Sequence, residues 1–247
     1  MSEIDQQIAT EIVADAAAVA ERVSDIILAR VRAQPRLTLG LATGRTMVPI
    51  YQRLVAAYRA GTVSFRGCTT FNLDEYCGLA AHDPASFHTY MRASFFDHVD
   101  LRADHAHVPD GMAADADGES LRYERLIAAA GGIDLQVLGI GINGHIGFNE
   151  PGSPLRSRTC RVTLAPETRA ANSFSFGEGR AVPSHAITMG IATILDAREI
   201  VLVATGRDKK RAVEAALNGP VSEDCPASAL RRHHHACLVC DEDVLVR

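Results

Sequence analysis

The stretch "IDLQVLGIGINGHIGFNEPGS", Ile133 to Ser153, changes character in its middle. Its first nine residues are apolar and β-branched enough to form a buried strand. The rest sets one histidine and one glutamate among glycines, asparagines and a proline, which neither helix nor strand holds well. A buried strand breaking into a glycine-rich loop is the opening of an α/β unit. In such folds ligands bind at the carboxyl edge of the sheet.

The same pattern recurs on both sides. "RLTLGLATG" (36–44) reads as a strand and a glycine turn before the helical "MVPIYQRLVAAYRAG" (47–61). "CTTFNLDEY" (68–76) reads as one strand ahead of the helix-like "SFHTYMRASFFDHV" (86–99). "REIVLVATG" (198–206) precedes "DKKRAVEAALNG" (208–219), and "ACLVCDE" (236–242) reads as a last strand. Before them all, "EIVADAAAVAERVSDIILARVRAQ" (11–34) carries helical periodicity. Strands alternating with helices predict an α/β, Rossmann-like layered fold, with a mostly parallel sheet covered by helices on both faces. No linker or tandem repeat interrupts the pattern, so residues 1–247 are expected to form a single domain.

With 247 residues and 47% hydrophobic composition, the chain can bury one substantial core. Its formal charge of −5 supplies no global basic field, so nucleic acid and anionic membrane are not expected partners. No apolar run is long enough to span a bilayer, and the acidic, amphipathic N-terminus lacks the marks of a targeting signal. The six cysteines (Cys68, Cys77, Cys160, Cys225, Cys237, Cys240) are scattered, which suits free thiols in a cytoplasmic protein.

The loops that follow the strands hold the candidate chemistry. Thr43, Gly44, Arg45 and Thr46 in "LATGRT" sit ahead of a helix, where backbone amides and hydroxyls suit a phosphate. Arg169 and Lys209 are natural charge partners for it. Asp74 and Glu75 end an apolar strand; the plain reading is a turn or capping pair, the sharper one that Asp74 takes a proton from carbon. Asn143, His145 and Glu150 supply an amide, an imidazole and a carboxylate, the inventory for moving a proton near neutral pH. "CLVC" (237–240) points its two cysteines to opposite faces of a strand, and "RRHHHA" (231–236) reads as a solvated turn, so no metal site is expected.

Taken in order, "LGLATGRT", "VSFRGCTTFNLDEYCGL", "SFHTYMRASFFDHVD", "LGIGINGHIGFNEPGSPLRSRT", "ETRAANS", "AITMGIATILDA" and "CLVCDE" resemble the glucosamine-6-phosphate deaminase family over almost the whole chain. The pairing of "FNLDEY" with "NGHIGFNEP" is its most specific part. The resemblance implies an aldose-to-ketose isomerisation of an amino sugar phosphate with release of ammonia, without metal or organic cofactor. It implies Asp74 as the base between C2 and C1, and His145 as the ring opener assisted by Asn143 and Glu150. Thr43, Gly44, Arg169 and Lys209 would hold the phosphate.

Two positions depart from the family pattern: Asn143 stands where some relatives carry aspartate, and Arg45 where many carry a small residue. If Asn143 only orients His145, its amide oxygen accepts from the ring and Glu150 is the sole supporting anion. "SRTCRV" (157–162) also lacks the basic residues expected of effector-activated relatives, so the chain is expected to act unregulated, as a monomer or small homo-oligomer. Two rival readings fare worse. A 6-phosphogluconolactonase lacks the "FNEP" continuation and needs no carbon base. A sugar-phosphate sensor of a transcription regulator needs a DNA-reading segment, and none is visible.

Overall fold

The computed structural model describes residues 7–177 and 179–245. Its centre is a seven-stranded, wholly parallel sheet. The strands are β1 (Ala9–Val13), β2 (Thr38–Leu41), β3 (Thr69–Asn72), β5 (Ala106–His107), β6 (Leu135–Gly139), β9 (Glu199–Ala204) and β10 (Ala236–Asp241). They lie in the order β1-β10-β9-β6-β2-β3-β5. β2 is buried at every position and β9 at all but its first, the mark of strands covered on both faces. The predicted α/β layering is therefore the observed one.

The described residues form seven α-helices: α1 (Ala16–Ala33), α2 (Val48–Arg59), α3 (Phe87–Ser94), α4 (Ala116–Ala129), α5 (Pro166–Asn172), α6 (Ile191–Leu195) and α7 (Lys210–Asn218). The aliphatic stripe of α1 (Val19, Val23, Ile27, Val31) is buried, and the helix packs on α2 and along β10.

Three features depart from the sequence reading. Helical periodicity from Glu11 onward does not continue back through residues 11–13, which form the edge strand β1 beside β10. The helix begins only after Asp15, whose carboxylate accepts from the Ala18 amide and caps it. The stretch "CTTFNLDEY" is not one strand but two. β3 stops at Asn72, and β4 (Asp74–Tyr76) leaves the parallel sheet to pair antiparallel with β8 (His185–Thr188). Together with β7 (Cys160–Thr163) these make a second, three-stranded sheet that was not predicted. A small aromatic core supports it: the Tyr76 ring lies 4.9 Å from Phe87, 5.3 Å from Phe148 and 5.3 Å from Phe176.

A half-buried carboxylate ties the approach to β7 to α4 and α6. Glu124 on α4 accepts from the Thr159 amide at 2.9 Å, from the Thr159 and Thr193 hydroxyls at 2.5 Å each, and from Arg158. Its side chain is 17% exposed. Glu124→Ala strands these donors around a vacated acceptor and is expected to cost about 2–3 kcal/mol. A lower urea midpoint at unchanged slope is the measurement.

Candidate active site

Strand ends, the second sheet and three loops converge at the carboxyl edge. At its centre is the loop 141–150, anchored from outside. The Ala227 amide donates to the Gly144 carbonyl at 2.9 Å, and the Gly152 amide to the Glu223 carbonyl at 2.8 Å. Phe148 donates its amide to Thr188 Oγ1 of β8, and the buried Asn149 side chain donates to the Ile146 and Met189 carbonyls, both at 2.8 Å. Asn149 was not singled out from the sequence; its place within "FNEP" was the available signal.

Two glycines set the geometry. A Cβ at Gly141 would lie 2.2, 2.3 and 2.5 Å from Cε1, Nδ1 and Nε2 of His145, so the imidazole rests against bare backbone. Gly147 has φ +57° and passes beside Asp74: a Cβ there would sit 2.9 Å from Thr188 Oγ1 and 3.5 Å from Asp74 Oδ2.

His145 Nδ1 faces Glu150 Oε2 at 3.5 Å, with side chains 22% and 13% exposed. Asn143 plays a different part from the one expected. Its Oδ1 accepts from the His145 backbone amide at 3.2 Å, not from the ring, and its Nδ2 donates to Glu150 Oε2 at 2.8 Å. Asn143 thus orients the carboxylate as well as the loop. Burial raises the Glu150 carboxyl, yet His145, Thr168 and Asn143 outweigh it and hold the group down to about 2. Thr168, buried on α5, was missed by the sequence reading because it is remote from the loop in the chain.

Asp74 opens β4 and is 5% exposed. Burial first, then the Glu75 charge, push its carboxyl up to about 8. Glu75 is fully buried but satisfied: it accepts the amides of Tyr76, Phe87 and His88 at 2.8, 3.0 and 3.1 Å. Burial still raises it to about 7 against those three bonds. The capping role that sequence alone allowed either acidic residue thus falls to Glu75, at the start of α3.

The phosphate candidates divide. Thr43, Gly44, Arg45 and Thr46 lie in the turn into α2, pinned by the Tyr90 hydroxyl donating to the Gly44 carbonyl at 2.8 Å. Arg45 lies over the Phe174 ring, 5.0 Å from its centroid. Lys209 is the residue just before α7; burial lowers its ammonium, Asp208 opposes, and the Arg45 charge adds to the lowering. Arg45 and Lys209 therefore act on one region. Arg169 donates from Nε and Nη2 to the Val182 carbonyl at 3.2 and 3.1 Å. All six cysteines are free, and burial pushes the Cys237 and Cys240 thiols of "CLVC" up to about 11.

Residues 11–239 match the family described as glucosamine-6-phosphate isomerases/6-phosphogluconolactonase. The chain belongs to that family. Within it, the chain is 51% identical to the glucosamine-6-phosphate deaminase of Shewanella loihica, over 94% of this chain and 86% of that one. It is 50% identical to that of Rhodopirellula baltica, over 94% and 92%. A solved structure of a monomeric glucosamine-6-phosphate deaminase superposes with a TM-score of 0.93 at 40% identity, covering 96% of this chain and 99% of that one. The 6-phosphogluconolactonase of Trypanosoma cruzi shares the fold at a TM-score of 0.79 and 18% identity, over 99% and 98%.

The seat of His145 is directly testable. Gly141→Ala must displace the imidazole from Glu150, and an ångström-scale misplacement is expected to lower turnover about 100-fold. Unchanged circular dichroism alongside that loss separates a displaced ring from an unfolded chain.

Proposed function

We propose that this chain is a glucosamine-6-phosphate deaminase, opening the sugar ring, isomerising aldose to ketose and releasing ammonia to leave fructose 6-phosphate. The observation that carries the reading is the shared loop: His145 with its Glu150 partner on one side, and Asp74 alongside Gly147 on the other. An acid–base pair and a separate buried carboxyl are what a closed amino sugar needs in sequence.

The cyclic sugar has no carbonyl. His145, its charge supported by Glu150, moves the proton of the anomeric hydroxyl toward the ring oxygen and opens the ring. The C2 hydrogen then becomes acidic, and Asp74 takes it; the C–H electron pair forms the C1–C2 double bond as the C1=O π pair moves to O1, which gains the proton that the C2 ammonium gives up. Asp74 returns the proton to C1, leaving an imine at C2. Water adds there and ammonia leaves, so the sum consumes one water and requires no redox cofactor. Arg45, Lys209, Thr43, Gly44 and Thr46 hold the phosphate, supplying remote binding energy that fixes C1 and C2 against Asp74. Arg169, which donates to the Val182 carbonyl in the ligand-free chain, joins them on the phosphate.

The ligand class is a small amino sugar phosphate. Among the described residues no helix is long and apolar enough to cross a membrane. Six free thiols suit a cytoplasmic setting, and we read the chain as a monomer or small homo-oligomer.

Ammonia release from glucosamine 6-phosphate, with galactosamine 6-phosphate alongside, tests the activity. Asp74→Asn keeps the shape but removes the acceptor, so turnover is expected to fall by about two to four orders of magnitude. The same variant has a thermodynamic signature. Between the ordinary value of 3.8 and about 8, the folded protein keeps a proton on Asp74 that the unfolded chain has lost, so this group destabilises the fold increasingly as pH rises through that window. Asp74→Asn is therefore expected to gain stability over the parent from pH 4 to pH 8, read as a widening difference in melting temperature.

Glu150→Gln removes the anion beside His145, whereas Asn143→Ala leaves it in place and deletes one hydrogen bond to it. The first is expected to lower turnover on the order of 100-fold and the second on the order of 10-fold. Equal losses in a side-by-side ammonia assay would show that Asn143 does more than orient.

A further inference from the structure

Asp74 and Glu75 are neighbours on one strand and almost equally buried, yet only one of them is satisfied. Glu75 has three amide donors. Among the described residues no N–H or O–H group bonds the Asp74 carboxyl, and no arginine, lysine or histidine pairs with it.

The surroundings explain why. Three acids lie close enough for their charges to act with Asp74: Glu75 and Tyr76 on its own strand, and Tyr123 from α4. β8 contributes Thr188, whose hydroxyl already accepts from Phe148 and donates to the Met189 carbonyl. The loop 141–150 contributes Gly147, and its Asn149 amide is engaged with two carbonyls. His145, on the same loop, faces Glu150. A buried carboxylate with neither donor nor cation is costly, and proteins ordinarily supply one or the other. Here neither β8 nor the loop 141–150 supplies either one.

We propose that the C2 ammonium of the substrate supplies the missing cation, ionising Asp74 on arrival, so that the amine is the group by which this site tells an amino sugar phosphate from its 2-hydroxy and N-acylated counterparts. The inference rests on reading Asp74 as the carbon base. The amine and the hydrogen to be removed share C2, so a carboxyl within reach of one lies beside the other. A positive charge there favours the carboxylate, whereas a hydroxyl or an acetamide brings none. Burial and Glu75 hold the resting group up to about 8, so near neutral pH the carboxylic proton leaves for solvent as the ion pair forms. The carboxylate then takes the C2 proton and passes it to C1. A neutral C2 substituent leaves the acid protonated, with no base to begin the isomerisation.

Two open-chain ligands that lack the C1 carbonyl and cannot react provide the test: 2-amino-2-deoxyglucitol 6-phosphate and glucitol 6-phosphate. Titration calorimetry at pH 7, in non-phosphate buffers of different ionisation enthalpy, counts protons released on binding. Their phosphates titrate alike, so the difference between them isolates C2. The amino ligand is expected to release close to one proton more than the hydroxy ligand from the wild-type protein. Its affinity is expected to rise from pH 6 to pH 8 relative to the hydroxy ligand, and Asp74→Asn is expected to abolish both differences. Equal proton release by the two ligands, or a difference that survives in Asp74→Asn, overturns the proposal. The wild-type comparison needs no variant and stands even if Asp74→Asn folds poorly. Ammonia assays run in parallel separate the two levels. Deamination present and lost in Asp74→Asn, without the proton difference, sinks this inference alone; no deamination by the wild type sinks the functional reading and this inference with it.

Discussion

Leu73 joins the two sheets through its own backbone. Its amide donates to the Leu41 carbonyl at 3.1 Å, continuing the parallel ladder, and its carbonyl accepts from the Met189 amide at 2.7 Å, at the end of the antiparallel strand β8. One residue thus belongs to both hydrogen-bonding systems, and the next, Asp74, is delivered to the seam between them. The catalytic loop is fastened to the same seam through Phe148 and Asn149, which bond Thr188 and Met189. The position of Asp74 relative to His145 is therefore set by main-chain and buried amide bonds, not by exposed side chains.

Three carboxylic acids within that frame behave as three different groups because their neighbours differ. Glu150 has an imidazole, a hydroxyl and an amide around it and stays ionised. Glu75 has three backbone amides and is held in place, tying β4 to the start of α3. Asp74 has burial and a neighbouring negative charge, with nothing to offset either. A permanent anion beside the imidazole and a carboxyl whose charge depends on what enters are different tools. In the proposed reaction, ring opening uses the first and proton transfer at carbon the second.

The proposed phosphate end follows another logic. Arg45 and Lys209 come from loops far apart in the chain, after β2 and β9, and the parallel sheet brings both to the same edge. The Phe174 ring beneath Arg45 is 59% exposed and presents an aromatic face to the guanidinium. The arginine that departs from the family pattern thus has a specific neighbour in this chain, on the segment that follows α5.

The parallel layering was legible from the sequence, because buried strands and amphipathic helices each leave a local pattern of apolar spacing. The glycine-rich loop was legible too, and Asp74, Asn143, His145 and Glu150 stood out as candidates because their chemistry is set against strand ends. The division of "CTTFNLDEY" at Leu73 was not, because a strand that changes sheets keeps the same local preference on both sides of the change. Nor was the edge strand β1, whose residues continue an apolar spacing that suits a helix until β10 offers a ladder to join. The bond from Asn143 to Glu150 and the turning of Arg169 to the Val182 carbonyl were likewise decided only in three dimensions. Residue types and local periodicity determine which groups can act and which segments can pair; which donor meets which acceptor depends on packing between segments distant in the chain, and that is where the partners of these carboxylates were chosen.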